Sequence, residues 1–245
     1  MNAWQKEVAA TPEVAAKPPQ RIGLPRLHRG TSLWDGVHVT KSDADRLRIF
    51  QHRYQVYTTT RGNDYPGADH QAGIIRDAAD DDAILVYSSD AGGEILSSLR
   101  ITLITPSEIR AKPLISAFIA GDGADTIRFG TAAFLARMCS SSRSGKDLLR
   151  LMMFAYYFGL TNDIRYAFLS ARYEFRKLYE RLGYQRLGPY ELGQPIGGLF
   201  LFGANLMDYT RFASVGSPYA PMLDIINPNA RLLGRRFSAE KKVPT

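Results

Sequence analysis

The chain has 245 residues, 45% of them hydrophobic, and a formal net charge of +7. This length and composition predict a globular protein with a substantial core. Its one cysteine excludes an internal disulfide framework and a multi-cysteine metal site, and its four histidines show no metal-binding spacing, so we expect no bound metal.

No segment has the pattern of a membrane span or an export signal. The longest apolar stretch, residues 151–160, is about half as long as a span requires. No early segment combines a basic start with an apolar run. We therefore expect a cytoplasmic protein.

The charge is divided between two parts of the sequence. Residues 61–94 contain two basic and eight acidic side chains, whereas residues 137–186 contain ten basic and four acidic ones. A basic region can attract nucleic acid, anionic lipid, an acidic protein or a phosphorylated cofactor. Because no nucleic-acid-binding motif accompanies the charge, we expect no nucleic-acid partner.

The first third of the chain predicts an arm followed by a helix. Residues 1–30 are rich in Ala, Pro and Lys, which favours a flexible arm. Ser42 is placed to cap a helix over about residues 43–58. We expect one domain over residues 31–235 and a basic tail over residues 236–245.

The middle of the chain predicts a β-hairpin, a short helix and another strand. Residues 83–104 have the pattern of two strands joined by a turn from Asp90 to Gly93. A short helical segment follows over about residues 107–120. Residues 125–140 then predict a further strand.

A polar loop after that strand leads into an apolar helix that begins near Lys146. The first N–H groups of a helix have no intrahelical partners, and its dipole favours anions there, so this loop suits a phosphate or pyrophosphate. A plain connection is the alternative. The predicted phosphate-binding residues are Cys139, Ser140, Arg143, Ser144, Gly145, Lys146 and Asp147.

A buried strand over residues 164–172 precedes a short amphipathic helix that Gly183 ends. Its apolar residues fall at helical spacing, which predicts that all four face the core: Phe175, Leu178, Tyr179 and Leu182. On this pattern alone, Tyr179 is a core aromatic residue; a functional role is the alternative.

This order of elements, with its ending "LYERLGYQRLG", resembles the second half of the GNAT superfamily of N-acetyltransferases. The resemblance implies an α/β (α+β) fold with a mixed, mostly antiparallel sheet, flanking helices and a phosphate-binding loop at a helix N-terminus. Tyr179 matches the tyrosine that often protonates the departing thiolate in that superfamily. The loop departs from the family pattern, since "RSGKD" has one glycine where the family favours two.

The first half resembles one branch, the acyl-homoserine-lactone synthases and related N-acyl amino acid synthases, through "HRYQVY", "SLRITL" and "FLARM". The resemblance implies that Arg53, Arg100 and Arg137 bind substrate, and it places residues 77–82 near the family's paired aspartates. Lactone synthases usually have a glutamate where this chain has Phe134, and an aliphatic residue in place of the helical tyrosine. Both departures favour the amino acid synthases.

The base that accepts the amine's proton is not identified by the sequence. Glu94 and the acidic residues 80–82 are candidates, although a solvated acidic turn is the alternative for each of them. Cys139 is expected to be structural rather than nucleophilic, because no histidine lies in the second half of the chain to activate it.

These features predict an N-acyltransferase that moves a long acyl chain from acyl carrier protein, or from coenzyme A, to a small amine such as an amino acid. The co-substrate would be the acyl-phosphopantetheine thioester, with no tightly bound cofactor. A basic cluster would receive the acidic carrier protein: Lys146, Arg150, Arg172, Arg176, Lys177 and Arg181.

Three other expectations stay open at this point. The chain can be a lactone-forming synthase that uses S-adenosylmethionine. It can also be a non-catalytic module that binds acyl thioesters or their carrier protein. Peripheral contact with a membrane or with fatty acyl chains is compatible with either.

Overall fold

The computed structural model describes residues 34, 36–60, 65, 67–123, 131–142, 145–190 and 198–227. The predicted arm and basic tail lie outside these residues, and so do Arg143 and Ser144 of the predicted phosphate loop.

A seven-stranded sheet forms the centre of the described part of the chain. In chain order the strands are β1 (Val37–Val39), β2 (Ala68–Asp69), β3 (Ile74–Ile75), β4 (Ile84–Ser89), β5 (Ile95–Leu103), β6 (Ala132–Ser140), β7 (Tyr166–Arg172), β8 (Gln185–Pro189) and β9 (Leu199–Asn205). The spatial order is β1-β4-β5-β6-β7-β9-β8, and β2 pairs with β3 separately. Within the described residues β6 and β7 alone pair in parallel. The mixed, mostly antiparallel sheet confirms the expected fold class.

In the described residues seven α-helices accompany the sheet: α1 (Asp43–Tyr54), α2 (Pro106–Arg110), α3 (Pro113–Gly121), α4 (Lys146–Thr161), α5 (Arg176–Leu182), α6 (Tyr209–Ser214) and α7 (Tyr219–Ile226). In the described part of the chain, no helix is both long enough and apolar enough to cross a bilayer.

The ends of the first helices follow local sequence signals. Ser42 caps α1 as predicted, since its hydroxyl accepts a hydrogen bond from the Asp45 N–H at 3.1 Å. α1 ends before residue 58 because the chain passes into a π-helical turn over Gln55–Thr60. The segment predicted as one short helix forms two, because Pro113 starts a second helix.

The two faces of the sheet carry separate groups of helices. Leu85 and Tyr87 pack against α1, and Phe168 packs against α3, on what we call the α1 face. Val86, Leu99 and other alternate residues pack against α4 on the opposite α4 face. The strand register connects these assignments, because Leu85 pairs with Arg100 and Arg100 with Ala136.

The segment after residue 205, for which the sequence offered no motif, completes the core on the α4 face. Tyr219 of α7 stacks on Tyr156 of α4 with ring centroids 4.2 Å apart. Phe212 of α6 covers Gly183, where an added Cβ would lie 2.3 Å from the phenyl ring. Gly183 has a φ of +105°, so both space and backbone conformation require glycine at the end of α5.

The apolar stripe predicted for the α5 segment is half wrong. Tyr179 and Leu182 are buried as expected, but Phe175 and Leu178 are each 38% exposed. Phe175 lies in a 3-10 turn over Tyr173–Phe175 that precedes α5, and α5 itself has only seven residues, so one α-helical spacing does not hold across all four positions. Tyr173, Phe175 and Leu178 therefore form an exposed apolar ridge beside the predicted basic cluster.

Candidate active site

A wedge opens in the sheet between β6 and β7. The parallel ladder runs from Ala132 opposite Tyr166 to Leu135 opposite Leu169 and stops there. Beyond it, β6 continues beside β5 to Ser140, and β7 continues beside β9 to Arg172. The two strands therefore diverge toward their carboxyl ends, where open α/β sheets place their ligands.

The N-terminus of α4 follows β6 and lies at the mouth of this wedge. Gly145 is the N-cap residue of the helix, with a φ of +67°, and its carbonyl accepts the first helical hydrogen bond, from the Leu149 N–H at 3.0 Å. The earlier N–H groups of the first turn have no intrahelical acceptor. Lys146 is exposed there, whereas the carboxylate of Asp147 is 14% exposed and would oppose an anion.

The side chain of Ser140 shapes the predicted phosphate loop. Its Oγ accepts a hydrogen bond from the Ser142 N–H at 3.1 Å, which holds the turn that follows β6. Arg143 and Ser144 lie outside the described residues. The phosphate role of this loop stays a prediction.

The three arginines singled out in the sequence meet on the α1 face, beside the start of the wedge. Arg53 of α1 is fully buried and its Nη1 lies 2.8 Å from Oδ1 of the fully buried Asp80. The Nη1 of Arg100 lies 3.3 Å from the same oxygen and also donates to Asp77. Arg137 donates to Asp77 through Nη2 and, at 3.1 Å, through Nε. We call these five side chains the arginine network.

A capping box fixes the two carboxylates of the arginine network. The Oδ1 of Asp77 accepts a hydrogen bond from the Ala79 N–H, and the Oδ2 of Asp80 accepts one from the Asp77 N–H, both at 3.0 Å. The alternative of a solvated acidic turn is therefore wrong for the fully buried Asp80, while Asp81 and Asp82 are exposed. The Asp-x-x-Asp spacing carried this signal in the sequence.

A β-bulge directs Arg137 into the network. Arg100 pairs with Ala136 and Ser98 with Cys139, so two residues of β6, Arg137 and Met138, oppose one residue of β5. Arg137 has a φ of +52°, a conformation that costs an L-residue about 1–2 kcal/mol. The bulge thus turns Arg137 toward the α1 face while Met138 packs against the core of the α4 face.

Two tyrosines cover the exposed side of Arg137. The Tyr65 hydroxyl accepts a hydrogen bond from Nη1 of Arg137, whose Cζ lies 5.1 Å from the centre of the tyrosine ring. The Tyr57 hydroxyl donates to the Met138 carbonyl at 3.3 Å, and the two tyrosine rings lie 5.1 Å apart. Sequence reasoning missed Tyr65 because it lies in a loop without regular periodicity.

The charges of the arginine network do not cancel, since three guanidinium groups face two carboxylates. Burial opposes ionisation of Asp77, but hydrogen bonds and charge from Arg137 and Arg100 hold the pKa of its carboxyl below the usual value. Among the described residues, Arg53 Nε and Nη2 and Arg100 Nε have no hydrogen-bond acceptor. The network therefore has an excess positive charge and spare donors, which suits a further carboxylate.

Tyr179 lies on the α4 face, 4% exposed, with its ring 5.4 Å from that of Phe202 and 6.1 Å from that of Tyr184. Burial raises the pKa of its phenol, which stays protonated. The buried hydroxyls of Tyr156 and Tyr219 donate to backbone carbonyls. No acceptor among the described residues serves the Tyr179 hydroxyl. The packing fits a core residue, and the unused hydroxyl fits a group that acts on a ligand.

Glu94 is exposed at the hairpin turn, where its backbone N–H donates to Asp90. It lies six positions before Arg100 in the chain, or about 20 Å along a strand. The structure thus leaves Glu94 outside the arginine network, and its role as a base stays a prediction.

Cys139 has a histidine neighbour that sequence reasoning missed. Its buried Sγ lies 3.8 Å from Nδ1 of His52 and 3.3 Å from the Ser98 hydroxyl. The argument that no histidine could reach this thiol was wrong, because α1 brings His52 across 87 residues of sequence. Cys139 is 1% exposed, so its thiol does not face the wedge mouth.

Comparisons with known proteins support the fold. FeeM, an N-acyl amino acid synthase from uncultured soil microbes, matches at 12% identity with a TM-score of 0.52, over 71% of this chain and 92% of FeeM. BjaI, a CoA-dependent acyl-homoserine lactone synthase solved with SAM and isopentyl-CoA, matches at 15% identity and 0.52, over 74% and 90%. The AHL synthase LasI matches at 19% identity and 0.51, over 69% and 89%.

No protein-family model matches the chain, and no curated protein sequence matches it. The structural matches confirm the fold that the sequence resemblance implied, which this chain shares with synthases of both kinds.

Proposed function

We propose that the chain is an N-acyltransferase that moves a long acyl chain from a phosphopantetheine thioester to the amino group of a small molecule such as an amino acid. The main support for this proposal is the wedge between β6 and β7. A helix N-terminus lies at its mouth, and the arginine network lies beside its start. The two reactants can therefore meet where the strands separate.

The pantetheine arm would enter the wedge and form strand-like hydrogen bonds with the free edge of β6. Its phosphate would bind at the first turn of α4 with Lys146, while Ser140 holds the loop in shape. Because Asp147 weakens this anion site, we expect the phosphate to contribute less affinity than in a glycine-rich loop. The rest of the donor must then supply binding energy.

The amine would enter from the α1 face, where the arginine network has its excess positive charge. The side chains of Arg100 and Arg137 are 11% and 18% exposed, enough to receive a substrate carboxylate. A guanidinium binds a carboxylate through two parallel hydrogen bonds, which fixes its orientation. This chemistry favours an α-amino acid over an amine without a carboxylate.

Acyl transfer also needs an acid for the leaving thiolate, whose pKa is near 8.5. We assign this role to Tyr179, whose hydroxyl has no described acceptor and stays protonated. Tyr179 lies on the α4 face, and the amine would bind on the α1 face. Protonation of the thiolate and deprotonation of the amine would therefore take place on opposite sides of the wedge. The released thiol would leave by the mouth.

The donor is proposed to be acyl carrier protein, because the mouth carries basic side chains beside an apolar ridge. Arg172, Lys177 and Arg181 are exposed on this side, next to Phe175 and Leu178. Carrier proteins are acidic, so complementary charge would speed their association. BjaI is CoA-dependent, which keeps acyl-coenzyme A as the alternative donor.

The test is direct. Purified protein is incubated with long-chain acyl carrier protein, or with the matching acyl-coenzyme A, and a pool of amino acids. N-acyl products are measured by mass spectrometry. We expect an N-acyl amino acid with at least one donor, and the absence of any product with both would refute the proposal.

A lactone-forming synthase is the second candidate, because BjaI binds SAM and has the same fold. It predicts release of methylthioadenosine from S-adenosylmethionine. Phe134 argues against it, since lactone synthases usually have a glutamate there. A non-catalytic thioester-binding module predicts donor binding without turnover, unchanged by Tyr179→Phe.

A further inference from the structure

Ser170 is the first residue of β7 beyond the last ladder pair with β6. The parallel ladder ends where Leu135 lies opposite Leu169, so Ser170 lies across the opening from Ala136. On its other side β7 stays paired with β9, where Ser170 is opposite Leu201. The strand is therefore rigid at a position where its other edge borders the wedge.

The side chain of Ser170 points to the α1 face. Alternation along β7 places it on the same side as Tyr166 and Phe168, which pack against α3, whereas Leu169 and Ala171 belong to the α4-face core. Ala136, on the opposite strand, shares that face with its partner Arg100. Ser170 and the arginine network thus border the wedge from opposite strands and on the same face.

The hydroxyl of Ser170 is available to a ligand. The residue is half-buried, and no side chain or backbone group in the described part of the chain hydrogen-bonds to its Oγ. Its neighbours in the strand, Leu169 and Ala171, are buried and apolar. The hydroxyl therefore has no protein partner in the described residues and borders the cleft, where a polar ligand can reach it.

We propose that Ser170 is a catalytic residue that accepts a hydrogen bond from the attacking amine. The inference rests on the proposed function. With the substrate carboxylate on Arg137, the amino nitrogen lies toward the wedge, and one of its N–H groups donates to Ser170 Oγ. The nitrogen lone pair then faces the thioester carbonyl on the wedge axis.

A hydroxyl suits this position better than a carboxylate does. A carboxylate beside the amine would favour its charged ammonium form, which has no lone pair for attack. A neutral hydroxyl accepts an N–H bond without stabilising that charge. Asp77 is already occupied by Arg100 and Arg137, and Phe134 has no polar atom, so neither supplies the acceptor.

The reaction step balances with these groups. A bond forms between the amine nitrogen and the carbonyl carbon, and the carbon–sulfur bond breaks. The sulfur takes the Tyr179 proton, and the nitrogen loses the proton that it shares with Ser170 to water. Water returns a proton to Tyr179, so no oxidant, reductant or further co-reactant is needed.

The test compares two reactions of the same thioester in Ser170→Ala. Transfer to the amine should fall about 10²-fold in kcat, because the amine loses its orientation. Slow hydrolysis of the thioester by water should stay within about twofold, and the melting temperature should not change. Ser170→Thr keeps the hydroxyl and should retain transfer within about fivefold. Ser116→Ala, at a half-buried serine of α3, is the matched control.

Each other outcome overturns the assignment. Transfer within twofold of wild type in Ser170→Ala means that the hydroxyl does not touch the amine. An equal fall in the rates of transfer and hydrolysis means that the substitution has disturbed the strand. A transfer rate in Ser170→Thr as low as that in Ser170→Ala has the same meaning. A wild-type protein that makes no N-acyl product overturns the proposed function and this inference together, whereas an active wild type with an active Ser170→Ala overturns this inference alone.

Discussion

Beside the wedge, the two faces of the sheet bury polar groups in different ways. On the α1 face, five charged side chains from α1, β5, β6 and one capping turn form the ion pairs of the arginine network. On the α4 face, Tyr156, Tyr179, Tyr184 and Tyr219 bury their rings together. The polar groups of the α1 face are held by a few strong ion pairs, whereas those of the α4 face are held by many weak contacts between aromatic rings.

This contrast indicates where the protein is most sensitive to substitution. Removing one member of an ion network leaves a buried charge without a partner, whereas removing one hydroxyl from an aromatic cluster leaves the packing in place. Removing a charged member of the arginine network should therefore affect folding first, and removing a hydroxyl from the tyrosine cluster should leave folding nearly unchanged.

Arg53→Met should have the largest effect, a loss of about 3–5 kcal/mol in the free energy of unfolding, because Asp80 loses its closest buried partner. Denaturant unfolding measures it. Arg76→Met is the matched control, since the Arg76–Asp81 pair is half exposed and should contribute little. Equal, small effects at both positions would mean that the network does not stabilise the fold.

His52 should make the α1 face sensitive to acid. Burial, helped by the charge of Arg53, lowers its pKa to about 4 against a backbone hydrogen bond that raises it. Between about pH 6.5 and 4 the unfolded chain binds the proton and the folded chain does not, so stability falls as pH falls through this window. The loss is about 3 kcal/mol.

Unfolding curves of wild type and His52→Gln across this range isolate the effect, because other groups titrate in both proteins. The glutamine variant should show a flatter dependence on pH. Parallel curves would contradict a buried neutral imidazole at this position.

Tyr179→Phe tests the α4 face. If the phenol protonates the thiolate, kcat should fall about 10²-fold while the melting temperature stays within a few degrees, because the ring and its packing remain. The defect should shrink with a donor whose thiol is more acidic. Tyr156→Phe removes a hydroxyl that donates to the Leu206 carbonyl and serves as the stability control. A normal kcat in Tyr179→Phe would leave the residue as core only.

Reversing Arg176 and Lys177 to Glu should have the smallest effect, and only with one donor. We expect KM for acyl carrier protein to rise about tenfold and to lose its salt dependence, while kcat with a small pantetheine thioester is nearly unchanged. The same reversal at Arg110 and Lys112, which lie beside α3 on the α1 face of the sheet, should leave KM unaffected. Equal losses with both donors would indicate a damaged helix.

Local signals in the sequence predicted much of the fold and part of the site. The Ser42 cap, the Asp90–Gly93 turn and the Gly183 stop each depend on a few neighbouring residues, and each lies where expected. The motif resemblance alone singled out Arg53, Arg100 and Arg137 as parts of one site, because no hydrophobic periodicity connects residues so far apart in the chain. Phe175 and Leu178 were misplaced because helical spacing does not show how short a helix is.

The remaining parts of the site depend on pairings between distant strands and helices. The contact of His52 with Cys139, the bulge at Arg137 and the end of the β6–β7 ladder are all set by register. No local pattern in one strand tells where its partner departs. Ser170 looked like an ordinary strand residue for that reason.

The burial of Cys139 beneath α1 has a consequence for the order of events in turnover. With that thiol enclosed by Ser98 and His52, the described part of the wedge offers no thiol to carry the acyl group between reactants. The acyl group would pass directly, so both substrates must be bound at once. Initial-rate plots should then intersect, as for a sequential mechanism, rather than run parallel as for double displacement.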